Sequence, residues 1–422
     1  MPETLAAWLL YLESLHPKTI ALGLERVAQV RQRLNLNPDF PVIVVGGTNG
    51  KGSVCAMLES MLYAAGYRVG CYTSPHLLDY NERVRISKKP ASDAELCASF
   101  GQIEQVRGDI ALTYFEFGTL AAMQCFIEHK VDVAILEVGL GGRLDAVNIF
   151  DADCAVVTSV DLDHMDYLGD TREQIACEKA GIFRKGRAAV YGDPDMPAAI
   201  ADEAQRIGAQ LWRLGEQFGY TAGAQQWDWR GPHGARSSLP YPALRGVFQL
   251  SNASTALAAL DALKDRLPVS MEAVRRGLLE ASLPGRFQVL PGRPQLILDV
   301  AHNPQAARTL AQNLAAMPPS GKRYAVFAML RDKDMAGVVR ALSDSIDAWL
   351  VAGIDVPRGA SAAELTQVLQ AAQVEGEIMA FPAVAAALQH ACNAAAENDR
   401  IVAFGSFYTV ADVMRLRGLC NG

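Results

Sequence analysis

At 422 residues the chain is longer than one ordinary hydrophobic core accommodates, so two domains are expected. Half of it is hydrophobic and a fifth charged, the profile of a soluble globular protein, and its apolar runs (residues 5–12, 42–45 and 133–136) fall well short of the roughly 20 residues a membrane span requires. A net charge of −7 argues against a general nucleic-acid binder while leaving room for a local cationic pocket.

In chain order, Met1-Pro2-Glu3-Thr4 lacks the basic stretch that opens a secretory signal, so a cytoplasmic protein is expected; a monomer is the expected assembly. A helical pattern covers residues 5–15. Residues 41–45 form a buried strand, residues 46–50 a Gly-rich turn, and an amphipathic helix runs on to about Ala65. Further strands are expected over 67–73, 131–138 and 154–160, with helices over 93–107, 117–129 and 171–180. This alternation is that of a parallel sheet flanked by helices. Residues 217–245, rich in Gly, Trp and Pro and without helical periodicity, read as a small β-hairpin excursion or a surface loop. Helices follow near 252–263 and 271–281. Leu283-Pro284-Gly285 then breaks the chain, setting domains at 1–285 and 286–422. Beyond it, strands at 295–300, 324–329, 348–351 and 400–404 alternate with helices from Pro304 and near 335–343. The fold class is α/β: a P-loop-containing N-terminal domain with a mainly parallel sheet, and a smaller Rossmann-like C-terminal domain. Eight cysteines, Cys420 the last, include no C-x-x-C pair and point to neither a metal ribbon nor a disulfide scaffold.

The strongest chemical signal is the strand-to-helix junction Gly46-Gly47-Thr48-Asn49-Gly50-Lys51-Gly52-Ser53. A phosphate needs several converging N–H donors, and glycines let the backbone wrap close enough to supply them. The following helix adds unpaired amides and the positive end of its dipole. Lys51 brings a full charge to the β/γ-phosphates, and the Ser53 hydroxyl suits Mg²⁺. Compared with G-x-x-x-x-G-K-[ST], Val45 replaces the first glycine and Gly52 separates Lys51 from Ser53. Alone, such a stretch also fits a glycine turn with a solvated lysine; its place between a buried strand and a helix favours phosphate binding. Glu137, ending the run 131–136, lies where a metal-binding acid is expected opposite a P-loop.

The segment 47–53 resembles the ATP loop of the Mur ligase superfamily, in its folate branch of dihydrofolate synthase and folylpolyglutamate synthase. Thr19-Ile-Ala-Leu-Gly-Leu-Glu-Arg26, Tyr72-Thr-Ser-Pro-His76, Leu136-Glu-Val-Gly-Leu-Gly-Gly-Arg-Leu-Asp-Ala146, Asp163-His164, Glu178-Lys-Ala-Gly-Ile182, Leu283-Pro-Gly-Arg-Phe287 and Asp299-Val-Ala-His-Asn-Pro304 follow in family order over nearly the whole chain. The resemblance implies a Mur-ligase-like fold that binds ATP through Thr48, Asn49, Gly50, Lys51, Gly52 and Ser53, with Asn252, Arg286 and Asp299 as further nucleotide contacts. It implies Mg²⁺ held by Ser74, Glu137 and His164, although a lone histidine past a strand is ordinarily structural. Lys179 matches a lysine that takes up CO₂ as N6-carboxylysine; Lys51, Glu137, His164 and Lys179 form the implied catalytic set. For the pterin, Leu22, Gly23, Leu24 and Glu25, Thr113, Tyr114, Phe115 and Glu116, and Leu144, Asp145 and Ala146 match holding positions. Tyr114 and Phe115 suit stacking on a planar ring and Asp145 suits accepting its N–H groups. His302 and Ser406 are candidates for the incoming glutamate.

The implied activity is an ATP-dependent ligase that joins L-glutamate to dihydropteroate and further glutamates to reduced folates through an acyl phosphate. A folylpolyglutamate synthase alone is the nearest alternative. A cell-wall Mur ligase gives no reason for the folate-specific segment 19–26. A P-loop regulatory protein is the reading from another class, and a dehydrogenase is disfavoured because no G-x-G-x-x-G follows a strand.

Overall fold

The computed structural model describes residues 1–16 and 21–419; Thr19, Ile20 and Cys420 lie outside the described residues. Contacts group the chain into two compact units, one of Met1–Ala243 with Leu250–Ser282, the other of Leu244–Gln249 with Leu283–Gly422. A single junction at Gly285 is expected from sequence; the units part after Ser282, and the short stretch Leu244–Gln249 groups with the second.

In the first unit, helices α1 (Leu5–Leu15) and α2 (Glu25–Arg33) precede strand β1 (Val42–Gly46) and helix α3 (Lys51–Ala64). Strands β2 (Val69–Tyr72), β3 (Val84–Ile86) and β4 (Lys89–Pro90) come next, then helices α4 (Asp93–Arg107) and α5 (Tyr114–Glu128). Strands β5 (Val133–Glu137) and β6 (Cys154–Val157) lead to the short α6 (Met165–Leu168) and to α7 (Arg172–Ala180). Strand β7 (Ala188–Tyr191), helix α8 (Ala198–Ile207) and strand β8 (Gln210–Arg213) complete the sheet, in the order β4-β3-β2-β5-β1-β6-β7-β8. The six strands from β2 to β8 in that order are parallel; β3 and β4 add an antiparallel edge. Every residue of β1 is buried, which is why its run of Val and Ile is unbroken rather than alternating. The strands flanking β1 arrive later in sequence, so the loops after β1, β5 and β6 share one carboxyl edge, where α/β sheets bind ligands.

Helix α5 starts three residues before the expected Phe117, because Thr113 and Glu116 form a reciprocal capping box ahead of two aromatics. Residues 217–245 are more than a hairpin or surface loop. Strands β9 (Gly219–Ala222), β10 (Gln226–Gly231) and β11 (Gly234–Pro240) form a separate antiparallel sheet, followed by helices α9 (Gln249–Ala262) and α10 (Met271–Glu280). Alternation along β10 buries Trp227 and Trp229, and the Trp229 indole donates to the Ser254 carbonyl (3.1 Å). These tryptophans are core residues.

In the second unit β12 (Gln288–Leu290) lies antiparallel to β13 (Gln295–Asp299). Helix α11 (Pro304–Ala315), strand β14 (Arg323–Phe327), helix α12 (Met335–Leu342), strand β15 (Ala348–Ala352), helix α13 (Ala362–Ala371), strand β16 (Glu377–Phe381), helix α14 (Val384–Ala394), strand β17 (Arg400–Phe404) and helix α15 (Phe407–Leu416) follow. The sheet order is β12-β13-β17-β14-β15-β16, parallel from β13 on. Phe327, Trp349 and Phe404 pack together in its core. Among the described residues no helix is long and apolar enough to cross a membrane.

Trp229→Ala removes a fully buried indole and its hydrogen bond. It is expected to destabilise the first unit by about 3–5 kcal/mol, read from urea unfolding followed by far-UV circular dichroism; an unchanged midpoint would show that the three-stranded sheet is not part of that unit's core.

Candidate active site

The turn between β1 and α3 is held from outside by the segment that follows β6. Thr48 N donates to Ser159 O (2.8 Å), Asn49 N to Ser159 Oγ (3.2 Å) and Asp161 N to Thr48 Oγ1 (3.0 Å). The Thr158 hydroxyl likewise donates into the turn, to Asn49 O (2.6 Å). Gly47 lies at φ +139°, where a Cβ would stand 1.9 Å from Thr158 Oγ1; Gly50 lies at φ +88°, with a Cβ 2.7 Å from Asn252 Oδ1. Both positions therefore require glycine, and Asn252 lies against the turn. Lys51 folds back, Nζ donating to Gly47 O (3.1 Å) and Thr48 O (3.2 Å). Ser53 is buried in the first turn of α3. The turn thus offers helix-start amides and an ammonium that already lies over it, the parts of a polyphosphate cradle.

At the end of β5, buried Glu137 accepts from the Ser74 amide (3.2 Å), which pairs two of the three expected metal residues. His164 precedes α6 with a left-handed backbone (φ 52°), one ring nitrogen 3.9 Å from Asp163 Oδ1. Among the described residues no three His, Cys, Asp or Glu side chains converge as a cage. Glu137 and Ser53 nevertheless fit a divalent ion carried by a nucleotide. They supply hard oxygen donors, and Mg²⁺ or Mn²⁺ bound to phosphates needs one or two protein oxygens and keeps several waters.

Lys179 is buried near the end of α7. Burial, and secondarily the Lys51 ammonium, lowers its pKa from 10.5 to about 7, against the pull of Asp163 and Asp145. Asp145 is also buried, and burial raises its carboxyl to about 6 although backbone amides and Lys51 favour the anion. Its oxygens accept from Leu140 N (2.8 Å) and Val147 N (3.0 Å), so it holds the loop after β5 in shape. That loop docks on α7 through Arg143 N to Glu178 O (2.7 Å) and an Arg143–Glu178 ion pair (2.7 Å).

The three stretches expected to hold the pterin approach one another. Gly23 N approaches Leu144 O (3.5 Å), placing half-buried Leu22 and Leu24, exposed Glu25 and buried Ala146 on one stretch of the unit. Arg26 pairs with buried Glu116 (2.9 Å) and donates to Ala21 O (2.7 Å), tying the entry of α2 to the start of α5. Arg26 has no role in the sequence reading; its acidic partner 90 residues away is visible only in the fold. Thr113 and Glu116 also cap α5, Thr113 N donating to Glu116 (2.7 Å) and Glu116 N to Thr113 Oγ1 (3.2 Å). The Phe115 ring packs on Tyr72 (5.8 Å), where Gly139 leaves it space, and Tyr114 meets the edge of Tyr80 (5.8 Å) under the Arg83 guanidinium (5.4 Å).

In the second unit the remaining candidates gather at the carboxyl ends of β13 and β17. Asp299 accepts from Phe287 N and Ala301 N (both 2.8 Å); burial raises its pKa to about 6 against the Arg286 charge. Arg286 lies over the Phe407 ring (5.0 Å), and that ring also neighbours His302 (6.1 Å). His302 Nδ1 is 2.8 Å from Val300 O. Ser406 is buried and caps α15, accepting from Thr409 N (3.0 Å).

Residues 45–260 match the family model described as Mur ligase middle domain, and residues 285–407 the one described as Mur ligase, glutamate ligase domain. The chain is 49% identical to the dihydrofolate synthase/folylpolyglutamate synthase of Escherichia coli K12 over 98% of its length and 95% of the relative. It is 42% identical to that of Haemophilus influenzae, covering 97% and 96%. The solved structure of the E. coli protein FolC in complex with DHPP and ADP superposes with a TM-score of 0.95 at 48% identity, covering 99% of both chains. A bifunctional folylpolyglutamate synthase/dihydrofolate synthase with Mn, AMPPNP and L-glutamate bound superposes at 0.92 with 51% identity, covering 99% and 98%.

Gly47→Ala forces a side chain into Thr158 and strains the turn. It is expected to weaken ADP binding about tenfold or more, measured by isothermal titration on protein with an unchanged circular dichroism spectrum; wild-type affinity would remove residues 47–53 from the nucleotide site.

Proposed function

The chain belongs to the dihydrofolate synthase/folylpolyglutamate synthase family of Mur ligases, and on that premise we propose the roles its residues play in the reaction. It is an ATP-dependent carboxylate–amine ligase that adds L-glutamate to dihydropteroate, giving dihydrofolate, and further glutamates to reduced folates. The observation that carries the assignment of roles is the turn 47–53, pinned by residues 158–161 with Lys51 lying over it.

A carboxylate repels an amine and has no leaving group. Its oxygen attacks the γ-phosphorus of ATP, ADP departs, and the acyl phosphate is then attacked at carbon by the glutamate amine, releasing phosphate. Residues 48–53 hold the phosphates through backbone amides, and Lys51 offsets the charge that spreads over the transferred group. Asn252, Arg286 and Asp299 serve the nucleotide; His302 and Ser406 serve the glutamate. Leu22, Gly23, Leu24, Glu25, Tyr114, Phe115, Leu144 and Ala146 line the pterin, while Thr113, Glu116 and Asp145 hold the backbone that presents them. ATP comes with a divalent ion, which we take to be Mg²⁺, with Glu137, Ser74 and His164 beside it; bound there it would neutralise charge on the β/γ-phosphates. The free thiols of the described cysteines suit a reducing cytoplasm, and a separate core in each unit suits a monomer.

The proposal for Lys179 is a carbamate formed with CO₂. Addition requires the neutral amine, and a pKa near 7 makes that form abundant at neutral pH. Protein in ¹³C-bicarbonate is expected to show one carbamate resonance that Lys179→Met lacks. In CO₂-free buffer the unfolded chain binds one proton more than the folded between about pH 7 and 10.5, so this group makes stability rise with pH across that window. Lys179→Met should therefore be more stable than wild type at pH 7, by a margin that shrinks toward pH 10 in urea unfolding. A pH-independent margin would contradict a depressed amine.

ADP release with dihydropteroate, ATP and L-glutamate, each omitted in turn, tests the activity. All three are expected to be required, and ¹⁸O placed in the dihydropteroate carboxylate should appear in the phosphate released. Lys51→Ala should lower turnover by about 10³-fold or more in folded protein. ATP hydrolysis indifferent to glutamate would instead mark a nucleotide switch.

A further inference from the structure

Between the helix that follows the phosphate turn and strand β3 lies a buried ion pair that the assigned roles leave unused. Glu59, on α3 less than two turns past Ser53, is 4% exposed. Arg85, on β3, binds it with two nitrogens: Nε lies 3.2 and 3.1 Å from the Glu59 oxygens and Nη2 lies 2.8 Å from Oε2. The same guanidinium donates through Nη1 to Thr73 Oγ1 (3.0 Å) and Glu82 O (2.8 Å), and through Nη2 to Cys71 Sγ (3.2 Å). Thr73 N is held in turn by Arg83 O (2.9 Å). One planar fork therefore joins the phosphate-loop helix to the end of β2. The next residue in the chain, Ser74, gives its amide to Glu137. Glu137 belongs to the same buried cluster. After burial, the carboxylates of Glu59 and Glu137 are what push the Cys71 thiol pKa up, with Arg85 opposing.

Stability alone does not account for this arrangement. A buried ion pair costs desolvation that its attraction repays only in good geometry, and apolar replacements of similar volume are often neutral or stabilising. The fork geometry is also specific, because a lysine in place of Arg85 has no planar array to reach Glu59, Thr73 and Glu82 together. We propose that Glu59 and Arg85 are positioning residues for the divalent ion: they fix the backbone at Thr73 and Ser74, and through the Ser74 amide they aim the Glu137 carboxylate at the space beside Ser53. This inference rests on the reading of Glu137 and Ser74 as neighbours of the ion.

The test separates positioning from folding. In Glu59→Leu/Arg85→Met both charges are replaced by apolar groups, so thermal unfolding should stay near wild type. Mn²⁺ binding to the AMPPNP complex, read by electron paramagnetic resonance, should weaken about 10- to 100-fold, while AMPPNP affinity without metal is unchanged. In metal-free protein the Ser74 amide should exchange its hydrogen faster. Arg85→Lys, which keeps the charge and loses the fork, should move both readouts the same way and serves if the double variant does not fold. A folded variant of either kind with wild-type Mn²⁺ affinity and wild-type Ser74 exchange overturns the inference. Glu137→Gln distinguishes the underlying reading: if it leaves Mn²⁺ affinity intact, the metal assignment fails and takes this inference with it.

Discussion

The chemistry of this chain depends on a short set of hydrogen bonds that run between the turn after β1 and the segment after β6. Ser159 takes up the amides of Thr48 and Asn49, Thr158 the Asn49 carbonyl, and Asp161 the Thr48 hydroxyl, and together they fix the backbone of the turn. A loop already in its working shape gives up little conformational entropy when it closes on a phosphate. The glycines follow from the same contact. Gly47 runs against Thr158 and Gly50 against Asn252, so the close approach that would bring backbone amides to a ligand also excludes side chains.

Charge in the first unit is arranged around that turn. Lys51 rests on the carbonyls of its own loop, bonds that it can exchange for the stronger ones offered by phosphate oxygens. A second amine, Lys179, lies close enough to Lys51 to feel its charge and is buried besides; Asp145 and Asp163 supply the opposing fields. Two lysines and two acids in one partly desolvated region form an environment in which protonation states respond to ligands, as expected where phosphate arrives with its counter-ion. The second unit repeats the pattern at its own strand ends, where Asp299 holds the backbone at Phe287 and Arg286 lies over Phe407.

Much of this was legible in the sequence because it follows from local rules. The unbroken apolar run before Gly46 and the glycine spacing after it announce a buried strand and a phosphate turn, and the helices over 5–15 and 93–107 carry their own periodicity and caps. The helix expected from Phe117 begins three residues earlier, at Tyr114, behind the Thr113-x-x-Glu116 capping box. Thr113, Glu116, Asp145 and Ser406 show the limit of such rules. Polar side chains in motifs can serve a ligand or a helix end, and in this structure each caps backbone. The β-rich stretch 217–245 hid its core because a Trp-x-Trp alternation buries its tryptophans only when a third strand and α9 cover them. Arg26–Glu116 and Arg85–Glu59 span 90 and 26 residues, and no spacing rule connects such partners.

The most direct test of the account is a crystal structure of the protein with AMPPNP and Mn²⁺. The β- and γ-phosphates should lie within hydrogen-bond reach of the amides of residues 49–53, with Lys51 Nζ moved from the Gly47 and Thr48 carbonyls to phosphate oxygens and the ion beside Glu137. A nucleotide bound elsewhere, with Lys51 still on those carbonyls, would contradict it.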